Sequence, residues 1–173
     1  MFLRRLRLEN IRGLRTLEID FQPTSSSRAR EPRRWTLILG QNGLGKSTIL
    51  KSIALVTAGL DALPELLGDP ESWVNLNADV GIIDADITVG DKTSHRLQLK
   101  IPRRAGISEI LKLNDLPLKS LRLDSRAGRS GCFVAGYGVS RRLQRDQKSH
   151  FGPRFFRTPR ANAVGTLFVT LRT

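Results

Sequence analysis

Residues 40–48 read Gly-Gln-Asn-Gly-Leu-Gly-Lys-Ser-Thr, and this stretch decides which fold can be expected of the chain. It fits the spacing G-x-x-x-x-G-K-[ST], in which a glycine-rich turn leads directly into a helix. Residues 35–39 before it read Trp-Thr-Leu-Ile-Leu, which predicts a short buried strand that ends at Gly40. A strand, a glycine-rich loop and a helix in this order are typical of a phosphate-binding P-loop.

The residues after the loop have the spacing of an amphipathic helix. Apolar or small side chains recur at helical intervals from Lys46 onward, at Ile49, Leu50, Ile53, Ala54 and Thr57. Gly59 follows as a plausible C-terminal stop, since glycine accepts the backbone angles with which helices commonly end. The helix start therefore coincides with the Lys-Ser-Thr end of the loop.

The residue types in the loop suit the binding of a nucleotide with magnesium. Glycines lack a β-carbon, so the backbone can turn its N–H groups toward phosphate oxygens, here at Gly40, Gly43 and Gly45. Lys46 can reach the β and γ phosphates, Ser47 can ligate Mg²⁺, and Thr48 can contact the α phosphate. The start of the helix adds N–H donors and a partial positive charge. The candidate nucleotide site is the whole loop, including Gln41, Asn42 and Leu44.

Two pairs of alternating segments predict antiparallel β structure on either side of this unit. Residues 2–8 and 17–21 alternate apolar with charged side chains, and Arg12-Gly13 would form the turn between them. Residues 83–89 and 95–101 form a second such pair, joined by Gly90-Asp91. A short helix is expected around residues 62–67.

The rest of the chain is weakly patterned. We expect an exposed loop at 22–34, a weakly patterned linker at 102–131, a short strand at 133–137 and a basic, loop-rich segment at 139–162. With 173 residues, the length suits one domain, and we interpret 1–173 as a single incomplete P-loop ATPase domain.

Composition limits the location and partners of the protein. The formal net charge of +13 points to polyanionic partners such as nucleotides or nucleic acid, and the excess of basic residues lies in 1–60 and 131–173. Cys132 is the single cysteine, so no internal disulfide can form, and a lone buried thiol in a reducing compartment is expected. No apolar run approaches the length of about 18 residues that a membrane helix requires. We therefore expect a cytoplasmic protein without membrane contact.

Three elements resemble the SMC/RecF-like branch of ABC-type ATPases, often labelled AAA-family ATPases in prokaryotes. Residues 6–14 look like the opening strand of that group, although Ile11 replaces the usual aromatic residue. The loop, with its Asn-Gly pair, looks like the P-loop of the group. Residues 136–142 are similar to its Tyr-Gly-x-x-Arg element. The resemblance covers residues 1–60 well and 131–168 loosely.

The resemblance implies an α/β P-loop NTPase fold, like the N-terminal half of an ABC-type ATPase, with an antiparallel β subdomain. It implies ATP and Mg²⁺ as ligands, and a second ATPase half or homodimer partner that closes over the nucleotide. The group acts on DNA or on a partner effector, in settings such as DNA repair or anti-phage defence. By the same resemblance Asn10 and Arg12 lie near the nucleotide, although Arg12 could equally be an exposed turn arginine. ATP over GTP also rests on the resemblance, since an Asn-Lys-x-Asp guanine motif is absent.

Parts that a complete ATPase of this group needs are missing from the sequence. There is no Asp-Glu pair at the end of an apolar strand, where the Asp supports magnesium and the Glu polarises water. The segment most similar to this pattern is an apolar run that ends at Asp84, which we interpret as an ordinary strand residue. His95 and His150 are expected to be surface residues, so no catalytic residue is assigned. The simplest interpretation is a truncated chain that binds nucleotide weakly and hydrolyses it poorly.

A basic, aromatic stretch lies between residues 141 and 160. It contains seven basic residues and three phenylalanines, a combination that can contact phosphate backbones and stack on bases. The phenylalanines could instead pack on the domain with the basic residues solvated, or Arg141 or Arg142 could reach a γ phosphate. Two further hypotheses therefore stay open beside the ATPase: a basic nucleic-acid-binding module with a vestigial P-loop, and an inactive truncated product.

Overall fold

A computed structural model of the chain describes residues 2–22, 35–89, 93–116, 118, 136, 164 and 167. Its strands form one antiparallel sheet in the spatial order β2-β1-β3-β4. The bounds of these strands are β1 at Phe2–Ile11, β2 at Leu14–Asp20, β3 at Val80–Val89 and β4 at Thr93–Pro102. Each is longer than, or close to, the strand that the sequence predicts.

Both predicted strand pairs are confirmed. Strands β1 and β2 are antiparallel neighbours whose register closes with Ile11 opposite Leu14, so Arg12 and Gly13 form the turn. Strands β3 and β4 pair from Val80 opposite Pro102 to Val89 opposite Thr93. The predicted Gly90-Asp91 turn lies outside the described residues. The two hairpins join through an antiparallel β1–β3 pairing that the sequence patterns did not predict.

The two faces of the sheet differ in chemistry because side chains alternate along each strand. One face is apolar and fully buried, and includes Leu6, Leu8, Ile83, Leu97 and Leu99. Burying a side chain of this size contributes roughly 1.5–3 kcal/mol to folding, so this face dominates the stability of the sheet. The opposite face carries ion pairs, such as Arg5 with Asp86 and Arg96 with Asp84.

Three helices accompany the sheet in the described part of the chain. Helix α1 spans Lys46–Ala58, α2 spans Leu63–Leu67 and α3 spans Ile107–Leu113, and a 3₁₀ turn spans Glu71–Trp73. The predicted helix after the loop and the predicted short helix at 62–67 are thus confirmed. Helix α1 ends at Gly59, whose φ of 84° favours glycine, and its buried residues, such as Leu55 and Val56, belong to the core.

The strand predicted at residues 35–39 is not formed. These residues have no regular secondary structure, and no backbone hydrogen bond pairs them with another described segment. Three of their side chains are largely exposed, Trp35 by 91% and Leu37 and Leu39 by 80% each, whereas Ile38 packs partly against the core. The physical reason is that an extended segment becomes a strand only when a neighbour pairs its backbone groups.

Helix α3 lies within residues 102–131, for which the sequence predicts a weakly patterned linker. Its Ile110 is fully buried, and Asn114 at its C-terminal end joins it to β4. The Asn114 amide donates to the Lys100 carbonyl at 2.8 Å and accepts from the Lys100 N–H at 2.7 Å. A helix of two turns has too few apolar positions to be recognised from periodicity alone.

Several expectations concern residues that the structure does not describe. The loop from 23 to 34, Cys132, the basic segment at 139–162 and, apart from Gly136, the strand at 133–137 all lie outside the described residues. Among the helices that are described, none combines the length and the apolar character needed to cross a membrane.

Candidate functional site

The glycine-rich loop lies between the segment at 35–39, which has no regular secondary structure, and the start of α1. Gly43 and Gly45 have φ angles of 87° and 86°, in the left-handed region that side chains with a β-carbon rarely adopt. Gly45 also lies against the β1–β2 hairpin, because a β-carbon there would be 3.1 Å from Leu14 Cδ2. The loop conformation therefore depends on glycine at both positions, and at Gly45 for two independent reasons.

Lys46 closes the loop with its own side chain. Its ammonium group donates hydrogen bonds to the carbonyl oxygens of Gly40 and Gln41, each at 2.6 Å. The only side-chain cation inside the loop is therefore drawn across it by backbone acceptors. Phosphate oxygens are stronger acceptors than carbonyls for an ammonium group, so this lysine is placed to exchange these bonds for bonds to a phosphate.

The first turn of α1 suits an anion. The helix begins after Gly45 without a side-chain cap and without an acidic residue in its first turn. The first N–H groups of a helix have no partner within the helix and carry a partial positive charge. Ser47 is exposed at this position, whereas Thr48 is buried. Ser47 is thus accessible to a bound ion, and the backbone donors around it match the phosphate chemistry expected from the sequence.

The β1–β2 turn is held next to the loop in an unusual backbone conformation. Asn10 and Arg12 both have a φ of 52°, which costs a residue other than glycine of order 1–3 kcal/mol. Hydrogen bonds with the last residue of the 3₁₀ turn and with the segment after it fix this conformation. The Arg12 N–H donates to the Trp73 carbonyl at 2.9 Å, and the Asn75 side-chain amide donates to the Arg12 carbonyl at 2.6 Å.

The Arg12 side chain lies over the indole ring of Trp73. The guanidinium carbon is 4.4 Å from the ring centroid, a distance suited to a cation–π contact. Burial lowers the pKa of Arg12 below its ordinary value. Burial also lowers the pKa of Lys51 on α1, and the charge of Arg12 adds to this effect. Arg12 is therefore half-buried against Trp73 and is not a fully solvated turn residue.

The candidate carboxylate Asp84 belongs to strand β3, as its sequence pattern predicts. It is largely buried, and it accepts hydrogen bonds from Arg96 Nε at 2.9 Å and from Gln98 Nε2 at 3.3 Å. Burial alone raises the pKa of Asp84, but the hydrogen bonds and charge of Arg96 outweigh burial and lower it. Asp84 is therefore an ion-paired residue of the polar sheet face. Its neighbour Asp86 pairs with Arg5 in the same way.

The structure also bears on the two histidines and on possible metal sites. His95 lies on β4, in agreement with the predicted strand, and His150 is outside the described residues. Among the described residues, no group of three or more His, Cys, Asp or Glu side chains is placed to hold a metal ion.

Sequence reasoning missed the contribution of Trp73, Asn75 and Lys51 to this region. Trp73 and Asn75 reach Arg12 from a segment more than 60 residues away in the sequence, and local patterns carry no signal for such a contact. Lys51 could have been noticed, because it follows Ser47 by four residues and so shares its helix face.

The sequence matches the AAA domain family over residues 5–152. The chain belongs to this family. Membership of the AAA domain family supports a P-loop NTPase fold, with ATPase activity as the general chemistry of the family. The part of this domain that the structure describes is an antiparallel sheet with a few helices. The family match thereby confirms the predicted P-loop NTPase domain of the AAA type.

A curated relative also matches the chain. The Septu protein PtuA from Bacillus mycoides (strain KBAB4) is 32% identical over 83 residues, which cover 47% of this chain. The aligned part amounts to 11% of the length of that relative. The part of this chain that matches thus corresponds to only a small portion of the length of that relative.

Proposed function

We propose that this chain is the nucleotide-binding part of an SMC/RecF-like ATPase and binds ATP with Mg²⁺ through residues 40–48. The observation that carries the proposal is the loop geometry. Gly43 and Gly45 adopt positive φ angles, Lys46 lies across the loop, and α1 starts without a cap. These features together supply backbone donors, one cation and a helix dipole at one place.

The residues of the loop have distinct roles in this proposal. Backbone N–H groups of Gly43, Gly45 and Lys46 bind phosphate oxygens, and the Lys46 ammonium group turns from the loop carbonyls to the β and γ phosphates. Ser47 ligates Mg²⁺, which neutralises charge on the phosphates when bound. Thr48 contacts the α phosphate, and Asn10 and Arg12 lie beside the nucleotide. Gly40, Gln41, Asn42 and Leu44 complete the backbone of the loop.

Hydrolysis requires groups that the described residues do not supply. Asp84, the carboxylate that follows an apolar run in the sequence, is committed to Arg96 and so is not free to polarise water. Without such a group the loop positions phosphates but adds little that is specific to the transition state. We therefore propose that catalysis needs a second ATPase half or a homodimer partner carrying an Asp-Glu strand and a signature motif.

The unpaired segment at 35–39 is where we propose that the partner docks. Its side chains Trp35, Leu37 and Leu39 are exposed, although apolar surface of this extent is normally covered. An extended segment with unpaired backbone groups is a template for strand addition. A strand of the second half would pair the backbone, cover these side chains and fix the loop that follows.

The biological setting we propose is anti-phage defence or DNA repair, with DNA or a partner effector as the target of the ATP-driven motion. This setting rests on the resemblance to SMC/RecF-like ATPases, and the similarity to a Septu protein is consistent with it. Survival of phage infection and of DNA damage, measured with wild-type and Lys46→Ala alleles of the whole protein, separates the two settings. If the wild-type and Lys46→Ala alleles give the same survival after phage infection and also after DNA damage, the proposed setting is contradicted.

A basic nucleic-acid-binding module with a vestigial loop is the second candidate, favoured by the net charge of +13. The described sheet adds little to this candidate, because Arg5 and Arg96 on its polar face are paired with Asp86 and Asp84. DNA affinity that falls with salt and is unaffected by nucleotide or by Lys46→Ala supports this candidate. An inactive truncated product binds neither ligand.

Calorimetric titration with a non-hydrolysable ATP analogue and Mg²⁺ tests the main proposal. Lys46→Ala removes a charge-assisted hydrogen bond, so we expect a loss of roughly 1.5–3 kcal/mol, or about tenfold or more in affinity. Lys112→Ala is the matched control, because Lys112 is an exposed lysine on α3. Equal affinity of wild type and Lys46→Ala would refute the proposed site.

A further inference from the structure

Arg103, the first residue after β4, holds the segment that connects the 3₁₀ turn with β3. Its Nε atom donates to the Ala78 carbonyl at 2.9 Å, and its Nη2 atom donates to the Asn75 carbonyl. Its backbone N–H donates to the Asp79 carbonyl at 2.8 Å. The side chain is only 16% exposed. One arginine thus binds three carbonyl groups within residues 75–79.

The shape of the arginine side chain suits this contact. A guanidinium group presents its N–H donors as a rigid fork, so it can bind two carbonyl groups at once, whereas a lysine ammonium group is a single point on a flexible stem. The ion pair of Arg103 with Glu71 adds little, because its N–O distance is 4.0 Å and Glu71 is 64% exposed. The main partner of Arg103 is therefore the backbone of 75–79.

Asn75 connects this segment with the β1–β2 turn. Its backbone N–H donates to the Asn10 carbonyl at 2.9 Å, and its side-chain amide donates to the Arg12 carbonyl at 2.6 Å. Asn10 and Arg12 are the two residues other than glycine that have a positive φ in the described part of the chain. The residue whose carbonyl Arg103 binds is therefore the residue that holds both of these unfavourable conformations.

Gly81 on β3 allows the turn and this segment to lie directly against the sheet. A β-carbon on Gly81 would be 3.1 Å from the Asn10 carbonyl oxygen and 3.7 Å from the Trp73 carbonyl oxygen. Because residue 81 has no side chain, backbone packs closely on backbone at this point. Close-packed contacts of this kind transmit a displacement instead of absorbing it.

The position of the turn in turn affects the glycine-rich loop through Leu14. Leu14 pairs with Ile11 across the turn, and its Cδ2 atom would be 3.1 Å from a β-carbon on Gly45. A shift of the turn therefore moves the side chain that lies against the last loop residue before Lys46. Binding sites lose function when their supporting contacts are loose by about 1 Å.

We propose that Arg103 is a positioning residue for the nucleotide site, although it belongs neither to the loop nor to α1 nor to the β1–β2 hairpin. Arg103 fixes residues 75–79, Asn75 fixes the turn, and the turn sets Leu14 against Gly45. This inference rests on the proposed function, because the loop is the site whose shape Arg103 maintains.

Calorimetric titration with a non-hydrolysable ATP analogue and Mg²⁺ compares wild type with three variants. We expect Arg103→Ala to weaken binding about three- to tenfold, the range that the net loss of one hydrogen bond produces. Arg103→Lys should retain part of the affinity, since an ammonium group can still donate to one carbonyl. Arg104→Ala is the matched control, because it removes the same charge from the exposed neighbouring residue, and it should bind as wild type does.

A double-mutant cycle tests the route through Asn75. If Arg103 acts through Asn75, the variant with both Arg103→Ala and Asn75→Ala should bind the analogue as Asn75→Ala alone does, whereas independent effects would multiply. Ile101→Val shows the effect of lost stability alone, because it removes a methyl group from a fully buried side chain of β4. It should lower the midpoint of urea unfolding and leave analogue affinity unchanged.

Amide hydrogen exchange measures the turn in the absence of nucleotide. The N–H groups of Arg12 and Asn75 donate to the Trp73 and Asn10 carbonyls, so their exchange rates report on these two hydrogen bonds. We expect both amides to exchange faster in Arg103→Ala than in wild type and in Ile101→Val. Unchanged exchange at both amides would show that Arg103 does not hold the turn and would overturn the inference.

The outcomes distinguish this inference from the proposed function. If Lys46→Ala abolishes analogue binding but Arg103→Ala lowers only the stability, Arg103 is not a positioning residue and the nucleotide site stands. Equal losses of affinity in Arg103→Ala and Arg104→Ala, or losses that multiply in the double variant, also overturn the inference. If wild type does not bind the analogue, the proposed function fails, and the role of Arg103 at that site fails with it.

Discussion

The side chain of Leu14 lies against Gly45, with Leu14 Cδ2 3.1 Å from the position that a β-carbon on Gly45 would occupy. This contact joins the β1–β2 hairpin to the last residue of the loop before Lys46. Gly45 also has a φ of 86°. The close approach and the backbone angle together make this residue the point at which the hairpin sets the shape of the loop.

Gly45→Ala is therefore expected to distort the loop. The left-handed angle costs alanine about 1–2 kcal/mol, and the added methyl group also pushes Leu14 aside. We expect at least a tenfold loss of affinity for the ATP analogue by calorimetry, with a smaller change in thermal stability. Gly106→Ala is the control, because a β-carbon there meets no atom within 4 Å and its φ is −72°. Equal loss in both variants would contradict a specific role for Gly45.

Asn75→Ala tests the segment that holds the β1–β2 turn. The substitution removes the 2.6 Å hydrogen bond to the Arg12 carbonyl, so the positive φ of Arg12 loses a constraint, and it also removes the 3.1 Å bond that the Asn75 side chain accepts from the Asn77 N–H. We expect the free energy of unfolding to fall by roughly 1–2 kcal/mol, since one hydrogen bond contributes about 1 kcal/mol net, and analogue affinity to fall several-fold. Urea unfolding and calorimetry measure the two effects. The exposed neighbour Asn77 provides the control Asn77→Ala, which should change neither quantity.

The acid dependence of stability should depend on Asp84. Burial raises the pKa of this carboxyl, but the hydrogen bonds and charge of Arg96 lower it by more than burial raises it. The pKa of Asp84 in the folded state therefore lies below its value in the unfolded chain. A group of this kind stabilises the fold above its unfolded pKa, near 4, and the contribution is lost as pH falls through the folded pKa. We expect Asp84→Asn to be less stable than wild type at pH 7, and the gap to shrink below about pH 4.

Urea unfolding across this pH range measures that gap. Asp79→Asn is the control, since Asp79 is exposed and lies just before β3, on which Asp84 pairs with Arg96. A gap between wild type and Asp84→Asn that stays constant with pH would show that the Arg96 pair does not hold the carboxylate form.

Local sequence patterns predicted the strands and helices whose signal comes from residues close together in the sequence. Alternation along β1 and β2, and helical spacing after Lys46, each arise within one element and were confirmed. The pairing of β1 with β3 and the stacking of Arg12 on Trp73 join distant parts of the chain, so no local period encodes them. The strand predicted at residues 35–39 was wrong for the same reason, because local pattern does not show whether a pairing partner is present. Their pattern is that of a buried strand, but the pairing partner that such a strand needs is not among the described residues.

The last prediction concerns hydrolysis by the 173-residue chain. With Asp84 committed to Arg96 and no other carboxylate assigned to activate water, we expect an ATP turnover far below about 1 s⁻¹, the lower end of typical enzyme rates. A separately expressed second ATPase half that carries an Asp-Glu strand should raise the rate by orders of magnitude, and Lys46→Ala should abolish the gain. Because we place the docking strand at residues 35–39, Leu37→Ser should weaken this complementation, whereas Leu76→Ser, at a leucine that is also exposed but lies elsewhere, should leave it intact. Steady-state phosphate release measures all four chains. Rapid, Lys46-dependent turnover by the chain alone would overturn the prediction and require a catalytic carboxylate within it.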